Sequence, residues 1–164
     1  MRNKLLILVL ILIVFIILFL GKPEPKNFVE NMTYEKTSDL FFTYEITKYP
    51  SNVEIIPQEE KKIKVGLVVD YWNLNFGIIP TGGSYGRRQV MISNSEKEKV
   101  RVYFKVYGSI KPLISFSKEN FILLPGQNET ITVFLNTTKE TKPGNYSGQI
   151  DVIIKKSKFS FIPI

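Results

Sequence analysis

"QVMISNSEKEKVRVYFKVYG", Gln89 to Gly108, holds two alternating segments with a polar break between them. Val90 and Ile92 alternate with Gln89, Met91 and Ser93. Val100, Val102, Phe104 and Val106 alternate with Arg101, Tyr103, Lys105 and Tyr107. A period of two gives each strand one apolar face and one wetter face. Asn94–Lys99, "NSEKEK", is polar throughout and reads as a turn. Two amphipathic strands around a short turn make this an all-β chain.

The same period recurs on both sides. Ile63, Val65, Leu67 and Val69 alternate with Lys62, Lys64, Gly66 and Val68. Ile131, Val133 and Leu135 alternate with Thr130, Thr132 and Phe134. Ile150, Val152 and Ile154 alternate with Gln149, Asp151, Ile153 and Lys155, which are expected to form the outward row. Shorter apolar runs sit at Leu74–Ile79, Leu113–Phe116 and Phe121–Leu124. Turn chemistry separates them: Pro80–Ser84 is "PTGGS", and "PGQN" and "PGNY" place Pro before Gly, as a type II turn requires. Seven to eight short strands over residues 61–156 predict an antiparallel β-sandwich.

Residues 1–60 read differently. Leu5 to Leu20 is sixteen consecutive apolar residues behind Arg2 and Lys4. At about 1.5 Å per residue the run spans roughly 24 Å, near the lower limit for a bilayer core. A cleaved signal peptide is the competing reading, but Leu18-Phe19-Leu20-Gly21-Lys22 offers only Gly21 as a small residue. Residues 1–21 are therefore expected to be a transmembrane signal anchor. Pro23 and Pro25 end that helix. Residues 22–60 read as an acidic extended stalk, with Leu40–Thr47 as its one candidate strand.

The chain has 164 residues and a net charge of +7. Residues 22–60 carry four Lys against eight acids, whereas 61–164 carry sixteen Lys and Arg against seven acids. There is no cysteine, which excludes disulfides and thiolate chemistry, and no histidine, which removes the commonest metal ligand and near-neutral base. No metal or cofactor is implied. Arg2 and Lys4 favour a cytoplasmic N-terminus with the remaining chain outside, while Lys22, Lys26 and Lys36 pull the other way. Four Asn-x-Ser/Thr triplets, at Asn31, Asn128, Asn136 and Asn145, exceed chance and favour the outside location as candidate N-glycosylation acceptors. The same residues also suit the turn chemistry of strand ends.

"LNFGIIPTGGSYGRRQVMISNSEKEKVRVYFKV" (Leu74–Val106) resembles the opening of immunoglobulin-like domains of the major sperm protein and Hydin type. "ISFSKENFILLPGQNETITVFLN" and "KPGNYSGQIDVIIKK" are similar to their later segments. The resemblance spans about Val65 to Lys156 and rests on turns and core positions. It implies an immunoglobulin-like sandwich used for interaction or assembly, here in a prokaryotic, archaeal-type cell envelope.

Catalytic signals are weak. Asp70, Glu119 and Asp151 are the acids to test as a glycosidase-like pair, and nothing in the sequence brings them together. "TGGSYG" (Thr81–Gly86) lacks the GK[ST] ending of a phosphate-binding loop and reads as a strand-to-strand turn. Arg101, Tyr103, Lys105 and Tyr107 share one side of one strand and form a candidate binding face, for which an ordinary exposed sheet face is the plainer account. The apolar tail at residues 157–164 either packs on its own domain or pairs with a partner's sheet edge. The expected protein is non-catalytic and held in the membrane through Leu5–Leu20. It would do structural or protein-binding work with an envelope partner outside the cell, without nucleic acid. The alternative is a glycan-binding module using the Tyr/Arg/Lys face.

Overall fold

The computed structural model describes Pro25 and residues 27–58 and 73–164. Nine strands lie among them: β1 (Thr33–Ser38), β2 (Phe42–Ile56), β3 (Leu74–Pro80), β4 (Tyr85–Ser93), β5 (Val100–Gly108), β6 (Ile114–Phe116), β7 (Asn120–Leu123), β8 (Asn128–Asn136) and β9 (Gly144–Ser157). The larger sheet runs β7-β5-β9-β2, and β1 and β3 share the far edge of β2. The smaller sheet runs β4-β8-β6. Every pairing is antiparallel except β2 with β3. The two sheets form the expected sandwich-like all-β arrangement. The apolar run at Leu5–Leu20 and the alternation at Ile63–Val69 lie outside the described residues. Among the described residues no helix is long and apolar enough to cross a membrane.

The alternating rows meet in one core. Val90 and Ile92 from β4, Val100 and Val102 from β5, Ile131, Val133 and Leu135 from β8, and Ile150 and Val152 from β9 are all buried. Phe104 is partly buried against this core and stacks on Phe116 with ring centroids 4.4 Å apart. The apolar run in β3 is not strictly alternating, and the backbone explains why. Gly77 takes φ 70, its N–H is held by Asn75 Oδ1 at 2.8 Å, and the register with β2 shifts there. This bulge re-aims the strand. Phe76 and Ile79 point into the core, and Ile78 is left 53% exposed.

Turns form where their residues require them. The Leu124–Gln127 turn closes with Gln127 N–H on the Leu124 carbonyl at 3.0 Å, and Gly126 at its third position has φ 73, as a type II turn demands. Asn94 is buried and ties its pole together. Its Nδ2 donates to the carbonyls of Glu98 and Leu123, and its Oδ1 accepts from Glu96 N–H.

The stalk expected over residues 22–60 is corrected for residues 33–56. These form β1 and β2, and β2 is an inner strand paired with β9 from Phe42 to Ile55. The candidate strand Leu40–Thr47 is the beginning of that longer strand. Val53 and Ile55 enter the core at 3% and 2% exposure, while Phe42–Pro50 stays half-buried. Pro50 stands on the far edge of β2 between the register of β1, which stops at Lys48, and that of β3, which starts at Ser51. An edge position tolerates the missing N–H.

The C-terminal tail packs on its own domain and adds no strand. Lys158 N–H donates to the Phe41 carbonyl, and Arg101 Nη2 donates to the Ile164 carbonyl at 2.9 Å.

Candidate functional site

The outer face of the larger sheet is walled rather than flat. Antiparallel register places Lys48 of β2, Asp151 of β9 and Lys105 of β5 in one row across three strands. The next rows are Ile46, Ile153 and Tyr103 on one side, and Pro50, Gln149 and Tyr107 on the other. Directly opposed side chains in such rows lie about 5 Å apart. Long side chains on the flanking strands rise around the shorter ones of the central strand. The result is a groove of about 460 Å³, lined by Tyr44, Lys48, Tyr103, Lys105, Tyr107, Gln149 and Asp151 among others, with Glu35 and Asp39 on the β1 side. That volume falls within the range of small-ligand sites.

The groove floor is where the structure departs from the sequence reading. Gln149, Asp151 and Ile153 were expected in an outward, wet row, but they are only 3%, 6% and 4% exposed. β9 is the central strand, so its outward side chains are overhung from both neighbours. The buried polar pair is held together: Gln149 Nε2 donates to Asp151 Oδ1 at 2.6 Å. Gln149 Oε1 accepts Val29 N–H at 3.0 Å, which ties the chain before β1 to the floor. Burial pushes the Asp151 carboxyl above the usual carboxylate range, against the Gln149 hydrogen bond and the charges of Lys48 and Lys105.

Walls and rim are fixed by local bonds. Asp39 begins the β1–β2 turn. Its Oδ1 accepts the N–H groups of Phe41 and Phe42, and its Oδ2 accepts Tyr44 O–H at 2.7 Å. Burial works against the Asp39 carboxylate, but those hydrogen bonds hold it below its ordinary range. Burial, and then the Asp39 bond, push the Tyr44 phenol up, so it stays a neutral donor. Tyr103 is likewise pushed up by burial and by Asp39. Lys48 pairs with Glu35 at 2.5 Å across β1 and β2.

Of the expected face, Tyr103, Lys105 and Tyr107 line the groove together. Arg101 lies on the same side of β5 but is committed to Asn120 Oδ1 and the Ile164 carbonyl. The three acids considered as a carboxylate pair are not brought together in the groove. Asp151 is on the floor, Glu119 is exposed beside β7 two strands away, and Asp70 lies outside the described residues. Thr81–Gly86 joins β3 to β4 with Gly82 at φ 86 and Gly83 at φ 93, a strand-to-strand turn. Asn31, Asn128, Asn136 and Asn145 are all exposed. Glu35, Asp39, Tyr44 and Lys48 were missed because they fall in the segment read as a stalk. The alternation Tyr44, Ile46, Lys48 was the available signal. Comparison with family models, with curated proteins and with solved structures finds no match.

Proposed function

We propose that this protein is a non-catalytic recognition module that binds carbohydrate in the groove of its larger sheet. One observation carries the reading: a buried amide–carboxylate pair, Gln149 and Asp151, at the floor of an open groove walled by Tyr44, Tyr103 and Tyr107. Sugars present vicinal hydroxyls, which both donate and accept, and C–H faces, which pack on aromatic rings. A carboxylate and an amide side by side match the first, and tyrosines match the second. The mixture of Lys48 and Lys105 with Glu35, Asp39 and Asp151 suits a neutral, hydroxyl-rich ligand better than a phosphate. The buried carboxyl suits binding rather than acid/base chemistry, because its neighbours are an amide and two lysines in register.

Membrane anchoring through Leu5–Leu20 and an outward-facing domain belong to the same proposal. They are supported by the unbroken apolar run and by the four sequons. Kinship with immunoglobulin-like domains of the major sperm protein and Hydin type is also part of it, supported by Asn94 in "ISNS" and the Gly126 turn in "PGQN". A second reading, a protein-binding pole, is favoured by Leu40 and Phe161, 73% and 80% exposed around the β1–β2 turn and the tail.

The test is a glycan array probed with the full chain in lipid nanodiscs, followed by calorimetric titration of the best ligand. Reproducible binding weakened about tenfold or more by Tyr103→Ala supports the reading. Absence of glycan binding, or binding indifferent to that substitution, overturns it.

A further inference from the structure

The outer face of the smaller sheet lies on the far side of the sandwich from the groove and differs from it in chemistry. β8 alternates strictly: Ile131, Val133 and Leu135 point into the core, and Asn128, Thr130, Thr132, Phe134 and Asn136 point out. The register with β4 sets Tyr85 opposite Asn136, Met91 opposite Thr130 and Ser93 opposite Asn128. In a chain with 22 Lys and Arg, Arg87 is the only charge on the β4 and β8 rows of this face. Tyr85 is 67% exposed and Met91 73%, with Phe134 half-buried between the strands. This nearly uncharged face carries exposed apolar side chains toward both ends of β4, with little charge to oppose association with a second copy.

The two sequons of β8 frame that face. Asn128 and Asn136 are the first and last residues of the strand, eight residues apart, which at about 3.4 Å each is roughly 27 Å. Both side chains project from the outer face, and the hydroxyl-bearing residues of their triplets, Thr130 and Thr138, are exposed. Asn136 Nδ2 uses one of its two hydrogens on Ser115 Oγ at 3.0 Å and keeps the other for substitution. Asn145 differs: it pairs with Glu54 in the larger sheet, on the groove side.

We infer that Asn128 and Asn136 are N-glycosylation sites whose two glycans cover the outer face of the smaller sheet. The donor is an oligosaccharide activated on a lipid-linked phosphate. The Asn Nδ2 forms a bond to the sugar C1, the C1–O bond to phosphate breaks with its electron pair going to the phosphate oxygen, and one Nδ2 proton is lost. The inference rests on the outward orientation proposed above. It adds a purpose for the sequons, which is to keep Tyr85 and Met91 from meeting a second copy.

The test expresses the full chain, with an added C-terminal sequon tag, in an N-glycosylating host. Membranes are analysed by intact mass and peptide mass spectrometry. The expected result is glycan at the tag, Asn128 and Asn136, with one glycan mass lost in each of Asn128→Gln and Asn136→Gln. A glycosylated tag with both native sites bare overturns the inference while leaving the orientation standing. A bare tag, together with no cleavage by protease added outside sealed cells, overturns the orientation and the inference with it. Covering is read separately by sedimentation velocity in detergent. Enzymatic deglycosylation should turn a monomer into a self-associating species at the same concentration, and Met91→Lys should restore the monomer. A deglycosylated protein that stays monomeric overturns the covering role.

Discussion

Ile55→Ala measures whether the segment before residue 60 belongs to the sandwich. Ile55 is 2% exposed, on an inner strand, and its strand neighbour Glu54 is exposed. Truncation to alanine removes three buried carbons, about 2.4 kcal/mol at roughly 0.8 kcal/mol each. The cavity left behind adds to this, since a site between β9 and β3 collapses only in part, and the expected total is about 3–4 kcal/mol. Glu54→Ala on the opposite face should change stability by less than about 0.5 kcal/mol. Urea titration of the full chain in detergent micelles, followed by circular dichroism near 218 nm, reads both. With a slope of about 2 kcal/mol per molar, the Ile55→Ala midpoint should fall by roughly 1.5–2 M. If the two variants unfold at the same midpoint, β2 does not contribute to the core and residues 33–56 are not part of the sandwich.

Two further outcomes follow from the groove and from the strand contacts. Burial raises the Asp151 carboxyl, so its favourable contribution is fully present below the unfolded carboxyl range, near 4, and is lost as pH rises through the raised folded value. Asp151→Asn, which keeps an acceptor for Gln149 and cannot ionise, should therefore melt higher than the parent at neutral pH and equally at about pH 3; a variant that melts lower at neutral pH would refute the buried-carboxyl assignment. Gly148→Ala would set a Cβ 1.9 Å from the Tyr107 carbonyl oxygen, whereas a Cβ on Gly126 meets nothing within 4 Å and only strains φ 73. The first should cost about 3 kcal/mol or more and the second about 1–2, so equal denaturant midpoints would mean that β5 and β9 are not in the register described.

What was legible in the sequence depended on how each side chain is buried. β4, β5 and β8 have one face in the core and one in water, so their alternation names both the strand and its inward row. The turns at Asn94–Lys99 and at Gly126 were legible because turn residues announce themselves locally, whereas the bond from Asn94 to the Leu123 carbonyl was not. β2 was not, for a physical reason. Its first half alternates Phe42, Tyr44 and Ile46 with Thr43, Glu45 and Thr47, but it is half-buried on both faces, so the period names no core row, and Pro50 interrupts it before Val53. Only Val53 and Ile55 carry the core signal, and two residues do not make a pattern. The same cause hid half of the groove. A face can be read as outward from the period alone, but whether it is wet depends on its neighbours across the sheet. Asp151 looks like a solvated strand acid until β2 and β5 stand on either side of it, and β2 came from the segment read as a stalk. Recognition of Tyr103, Lys105 and Tyr107 required only β5. Recognition of the floor beneath them required the pairing order of the whole sheet, which is a tertiary property set by the shared core between β2, β9 and β5 and not by any one stretch of residues.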